Sequence, residues 1–98
     1  MLESQFQHDL IKELKKQFPD CFVLKNDATY IQGFPDLLIL YKDKWAALEC
    51  KKTSKSSKRP NQEYYVAKLD DMSFSAFVSP ENCNDIMQKL QAFFEGGQ

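Results

Sequence analysis

Asp36, Glu49 and Lys51 are the residues of this chain whose types and spacing suggest chemistry. They lie in "GFPDLLILYKDKWAALECKK" (33–52), where an aspartate opens one apolar run and a glutamate and a lysine close the next. Charges beside buried strands cost free energy unless something pairs with them. With Lys42-Asp43 in a tight turn, Tyr41 faces Lys44, and counting outward sets Asp36 opposite Glu49. Directly opposed residues of an antiparallel pair share a face, with Cβ atoms about 4.5–5.5 Å apart. Side chains alternate along a strand, so Lys51 joins that face while Cys50 points to the other. A slip of one residue in register would break the pairing.

Two carboxylates that close repel, and each raises the pKa of the other unless a cation sits between them. Lys51 could neutralise one of them, which would make an ordinary cross-strand ion pair. A divalent ion would satisfy both, and Mg²⁺, a hard cation, prefers oxygen ligands and keeps several waters. Such an ion can polarise a phosphoryl oxygen and lower the pKa of a bound water. An adjacent ammonium can position the attacking water or stabilise transition-state charge. These parts suit phosphodiester hydrolysis.

Two more polar residues stand where apolar ones are expected. In the first helical stretch Phe6, Leu10, Ile11, Leu14 and Phe18 recur at helical spacing. At about 100° per residue, Glu3 falls close to the centre of that stripe. It either sits in an exposed first turn or reaches the carboxylate pair as a third acid. Gln62 shares a face with Tyr65, Val66 and Leu69. It is either a solvated helix-start residue or a hydrogen-bonding group for a water at the ion or for a phosphate.

The elements that must position these groups read in the order α-β-β-β-α-β-α. Residues 3–18 form an amphipathic helix ended by Pro19-Asp20. "CFVLK" (21–25), "DLLIL", "WAALEC" and "FSAFVS" read as strands, and a second helix starts near Asn61. Ser79-Pro80-Glu81 has the cap, proline and acid of a helix start. That last helix carries Ile86, Leu90, Phe93 and Phe94 and ends at Gly96-Gly97. The fold class is α/β in the α+β sense, a mixed four-stranded sheet flanked by helices.

At 98 residues the chain reads as one domain, 1–98, with a polar, flexible loop at 52–60. Its 43% hydrophobic content suits a folded chain rather than a disordered one. No apolar run approaches the roughly 18 residues of a membrane span, and no signal-peptide stretch opens the sequence. A soluble cytoplasmic protein is expected. Three widely spaced cysteines without a CxxC pair argue against a disulfide framework or a zinc site, and the single histidine, His8, against multi-histidine metal chemistry. The net charge of −1 makes no global case for nucleic acid. Locally, no carboxylate occurs between Glu49 and Glu63, while Lys51, Lys52, Lys55, Lys58 and Arg59 do. Such a stretch can track phosphates.

In their combination these residues resemble the PD-(D/E)XK nuclease superfamily, through Gly33-Phe34-Pro35-Asp36 followed by Glu49-Cys50-Lys51. Within it the chain is most similar to the small VRR-NUC domains, related to Holliday-junction resolvases, through Glu3-Ser4 and through "SKRPNQ" ending at Gln62. The likeness runs to Val78. It implies the αβββαβ restriction-endonuclease-like core. It also implies a Mg²⁺ or Mn²⁺ ion bound by Asp36 and Glu49 with help from the Cys50 carbonyl, Lys51 as catalytic lysine, Glu3 as helix acid and Gln62 as auxiliary group. Where the family often has an arginine after Pro-Asp, this chain has Leu37, which bears on substrate contacts rather than on the ion.

The expected activity is that of a metal-dependent DNA endonuclease. Lys52, Lys55, Lys58 and Arg59 would guide the backbone and read structure, such as flaps or four-way junctions, rather than sequence. No small-molecule cofactor and no membrane are called for. Two symmetric cuts need two sites, hence a homodimer, with aromatics near Phe93-Phe94 as a contact surface. The alternative is a catalytically silent nucleic-acid-binding module on a nuclease-like fold.

Overall fold

The computed structural model describes residues 2–96. Its elements run α1 (Glu3–Gln17), β1 (Phe22–Lys25), β2 (Leu37–Tyr41), β3 (Lys44–Cys50), α2 (Pro60–Met72), β4 (Ser75–Val78) and α3 (Cys83–Glu95). They build a mixed sheet in the order β1-β2-β3-β4, antiparallel except for the parallel pair of β3 and β4. A parallel pair needs a long crossover, and here α2 supplies it.

The hairpin of β2 and β3 has the register expected from its turn. Tyr41 pairs with Lys44 and Leu37 with Leu48, and Lys42 takes a φ of 57° to make the two-residue connection. Leu37, Ile39 and Tyr41 of β2 and Ala46, Leu48 and Cys50 of β3 share one face and join Phe6, Leu10, Leu14 and Phe18 of the α1 segment and Ile86, Leu90 and Phe94 of α3 in the main core. The opposite face receives α2, which packs on β3 and β4 through its buried Val66 and Leu69. That half-cover leaves the β1–β2 part of the face bare. Phe22 (69% exposed), Leu24 and Leu40 are exposed there, and Phe22 and Leu40 are directly paired. Among the described residues no helix is long and apolar enough to cross a membrane.

Two expectations need correction. Ser79-Pro80-Glu81 does not start α3. The Asn82 side chain accepts from Ser79 N (2.8 Å) and donates to the Phe77 carbonyl (3.0 Å). The stretch becomes a turn tied back to β4, and the helix starts at Cys83. Gly97, expected in the stop of α3, lies outside the described residues. The aromatic pair near its end is not an exposed patch either. Phe94 is buried against Phe18 and Tyr41, at ring-centroid distances of 5.1 and 5.3 Å, and Phe93 is half-buried against Phe74.

Candidate active site

Asp36 lies one residue before β2, where the β1–β2 ladder runs past its last assigned pair. Asn26 N donates to the Asp36 carbonyl (2.8 Å) and the Asn26 amide to the Pro35 carbonyl (2.7 Å). Both carbonyls of the Pro-Asp step are thereby held, and the aspartate side chain projects from a fixed backbone. Its Oδ2 accepts the Cys50 backbone N–H at 2.9 Å. Glu49 precedes Cys50 on β3, and only 4% of it is exposed. The two acids thus extend the register one step beyond Leu37–Leu48 and share the face that α2 covers. The Cys50 thiol, as alternation requires, is buried in the main core on the other side. Lys51 N donates to the Val78 carbonyl (2.8 Å), which continues the pairing with β4 and carries Lys51 to the same end of the sheet.

Gln62, at the start of α2, joins these groups. Its amide nitrogen donates to Glu49 Oε2 (3.1 Å), and its amide oxygen accepts from Lys51 Nζ (2.9 Å) and from Arg59 N (3.1 Å). An ammonium and a backbone N–H can only donate and a carboxylate can only accept, so this orientation alone satisfies every partner. Lys51 makes no ion pair with Asp36 or Glu49; the salt bridge found among the described residues is Lys89–Asp85. The plain cross-strand ion pair is therefore absent, and so is the solvated amide at Gln62.

The electrostatics follow. Burial pushes the Glu49 carboxyl up to about 7; the Asp36 charge, and further off that of Glu3, add to the rise, while Lys51 opposes it. Asp36 is also raised, by burial first and then by Glu3, against the Cys50 N–H and Lys51. Two half-satisfied acids of this kind need a proton or a cation. Hard oxygen donors on adjacent strands fit a Mg²⁺ or Mn²⁺ ion, so the donor chemistry suits the metal that the sequence implied.

Glu3 is exposed in the first turn of α1 and is not part of the buried stripe, yet it lines one cavity of about 400 Å³ with Asp36, Glu49, Lys51, Lys52 and Arg59. Among the described residues no three His, Cys, Asp or Glu side chains close into a ready metal cluster. The four basic residues part company. Lys52 and Arg59 line this cavity, Lys58 lies over the Phe77 ring at 5.0 Å, and Lys55 acts on Glu81.

Three supporting residues had no role in the sequence reading. Asn26 is one. Asn61 is another: its amide donates to the Gln32 carbonyl (3.1 Å). Gly33, quoted there only as part of a motif, takes a φ of 85° where an added Cβ would lie 2.6 Å from Asn61 Cγ, so glycine is required twice over. Asn in a polar connection is a turn signal at best, and neither partner is local. A second cavity, of about 430 Å³, opens on the loop side of the acids and is bounded by Gly33, Phe34, Asp36, Glu49, Arg59 and Gln62 among others.

No protein-family model matches this chain, and no curated protein does. Among solved structures, a VRR_NUC domain protein superposes with a TM-score of 0.72 over 95% of this chain and 90% of its own, at 19% identity. The likeness is one of fold: over 95% of its length the chain has the small VRR-NUC, restriction-endonuclease-like architecture.

Proposed function

We propose that this chain is a nuclease that hydrolyses DNA phosphodiester bonds with the aid of Mg²⁺ or Mn²⁺. The observation that carries the reading is the pairing of Asp36 and Glu49 on one sheet face, with Lys51 held beside them by Gln62 instead of neutralising them. Asp36 and Glu49 would hold the ion, with the Cys50 carbonyl as a further donor and Glu3 as an outer acid. When bound, the ion supplies Lewis-acid polarisation of the phosphoryl oxygen and makes water more acidic.

The chain's own groups orient and exclude. The Cys50 N–H fixes the Asp36 carboxylate, so little rotamer freedom is lost when an ion arrives. Lys51 has three donors and Gln62 takes one, which leaves others for a phosphate oxygen or an attacking water. Lys52 and Arg59 sit where the incoming backbone needs counter-charge, with Lys55 and Lys58 further along the strand's path. These contacts read charge and shape, so flaps or four-way junctions are the substrates rather than a base sequence. Symmetric cuts need two sites, which a homodimer supplies. Its contact surface is the bare face of Phe22, Leu24 and Leu40, not Phe93, which is half-buried, or Phe94, which is buried.

The test incubates pure protein with supercoiled plasmid, a flap and a four-way junction in Mg²⁺, Mn²⁺ or EDTA. Cutting is expected with either metal, none in EDTA, and none from Asp36→Ala or Lys51→Ala. Intact substrates under every metal, or full activity of Asp36→Ala, would refute the proposal.

A further inference from the structure

Next to the acidic site lies a third, chemically different cavity. It measures about 420 Å³ and is lined by Asn26, Asp27, Tyr30, Ile31 and Phe34. Phe34 also bounds the cavity that contains Asp36, Glu49 and Arg59, so the two adjoin through one ring. Their charges divide the work. The cavity of Asp36 and Glu49 sets Arg59 beside the two acids that would hold the ion, whereas this one has no cation and carries only the Asp27 carboxylate, which repels phosphate. Aromatic and aliphatic walls with amide and carboxylate edges suit an uncharged planar ring.

The loop is built before any ligand arrives. Asn26 ties its ends together through the Pro35 and Asp36 carbonyls. Asp27 Oδ1 accepts from Thr29 N (2.9 Å) and Thr29 Oγ1 (2.7 Å). Asn61 holds Gln32 from α2, and the Phe34 ring packs edge-on against Tyr65 at 5.4 Å. On this pinned scaffold Tyr30 is 85% exposed. A rigid loop that presents a bare tyrosine at the rim of an apolar cavity has the form of a stacking platform, and bases of any identity offer a π-face to it.

We infer that Tyr30, Ile31 and Phe34 bind an unpaired nucleobase adjoining the phosphate that Lys51 and Arg59 would meet beside Asp36 and Glu49, so that the preferred substrates carry single-stranded nucleotides beside the cut. This rests on the proposed function and narrows it: flaps and splayed ends over fully paired junctions. Tyr30 and Ile31 are specificity residues and take no part in the chemistry.

The experiment places 2-aminopurine at successive unpaired positions of a flap oligonucleotide and titrates it with protein in EDTA at low salt, so that no cleavage is needed for the readout. Fluorescence quenching at one position is expected. Tyr30→Ala should weaken binding by about 5- to 150-fold, the span of one base–aromatic stack, and Tyr30→Phe should restore it. With an abasic residue at that position wild type and Tyr30→Ala should bind alike. Cleavage in Mn²⁺ should show the same Tyr30 and base dependence in KM. Equal binding by wild type and Tyr30→Ala on the intact flap overturns the inference, as does a change of oligomeric mass in Tyr30→Ala with oligonucleotide binding unaltered. Tyr30-dependent quenching by a protein that cuts nothing under any metal sinks the nuclease reading and keeps the base site. Cutting that ignores both Tyr30 and the base sinks the base site alone.

Discussion

The raised pKa of Glu49 makes the stability of the metal-free protein depend on pH in an unusual direction. A carboxyl that titrates near 4.5 in the unfolded chain and at about 7 in the folded one binds its proton more tightly when folded. Its contribution to stability is therefore complete below pH 4.5 and is lost as pH climbs through 7. At about 1.4 kcal/mol per unit, the loss by pH 8 is on the order of 3 kcal/mol, and Asp36, raised as well, acts in the same sense. For a domain of this size each kcal/mol moves Tm by roughly 4–8 °C, so Tm should fall by about 10 °C or more between pH 5 and pH 8. Asp27 and Glu81, whose carboxyls are lowered, act oppositely, but their effect is spent below pH 4.5.

Thermal or urea denaturation in EDTA across pH 5–8 measures this directly. Glu49→Gln keeps the shape and removes the titration, so it should flatten the curve and be more stable than wild type at pH 8. Mg²⁺ or Mn²⁺ should restore wild type at pH 8 and leave Glu49→Gln nearly unmoved. Wild-type stability that stays level or rises from pH 5 to 8 in EDTA refutes the reasoning, as does a fall of equal size in Glu49→Gln.

Gln62→Leu should lower kcat by at least about tenfold, an order typical of a lost positioning contact, and a Lys51–Glu49 ion pair should replace the bridge, seen as a drop in the Glu49 pKa by carboxyl-detected NMR. Gly33→Ala should destabilise by more than about 1 kcal/mol, because it meets both a positive φ and the Asn61 side chain; urea denaturation reads the loss. Phe22→Asp, at an exposed position, should leave the circular dichroism spectrum unchanged and halve the mass in sedimentation equilibrium. An unchanged mass removes the β1–β2 face as the dimer contact.

How much could be read from the sequence depended on how local each determinant was. The hairpin was legible because a two-residue turn at Lys42-Asp43 sets every pairing outward from it, including that of Asp36 with Glu49. The periodicity of Phe6, Leu10 and Leu14 found α1 for the same reason. Ser79-Pro80-Glu81 misled because its local chemistry is that of a helix start, while Asn82 reaches back to Phe77 and makes it a turn. Phe93 and Phe94 read as exposed because periodicity near the end of a helix does not reveal that Phe18 and Tyr41 lie against Phe94 on the same face of the sheet. Gln62 stands out of place on its face, but its partners are 11 and 13 residues away, and no spacing rule encodes a bridge of that kind.

That bridge decides the character of the site. An ammonium and two carboxylates in one pocket would ordinarily pair, and a paired glutamate would titrate low and need nothing further. A glutamine between them offers its N–H to the acid and its oxygen to the lysine, so each is satisfied by a neutral group and neither charge is cancelled. Asp36 is held in the same manner, by a backbone N–H that orients it without neutralising it. The fold thus keeps the acids and the ammonium from pairing with each other, each met by a neutral group. On the proposed function, the acids would draw a divalent ion and the ammonium would face the phosphate. Replacing Gln62 by glutamate would place a third carboxylate against the pair, and replacing it by lysine would cancel them; the neutral amide is the choice that leaves the acids and the lysine unpaired with each other.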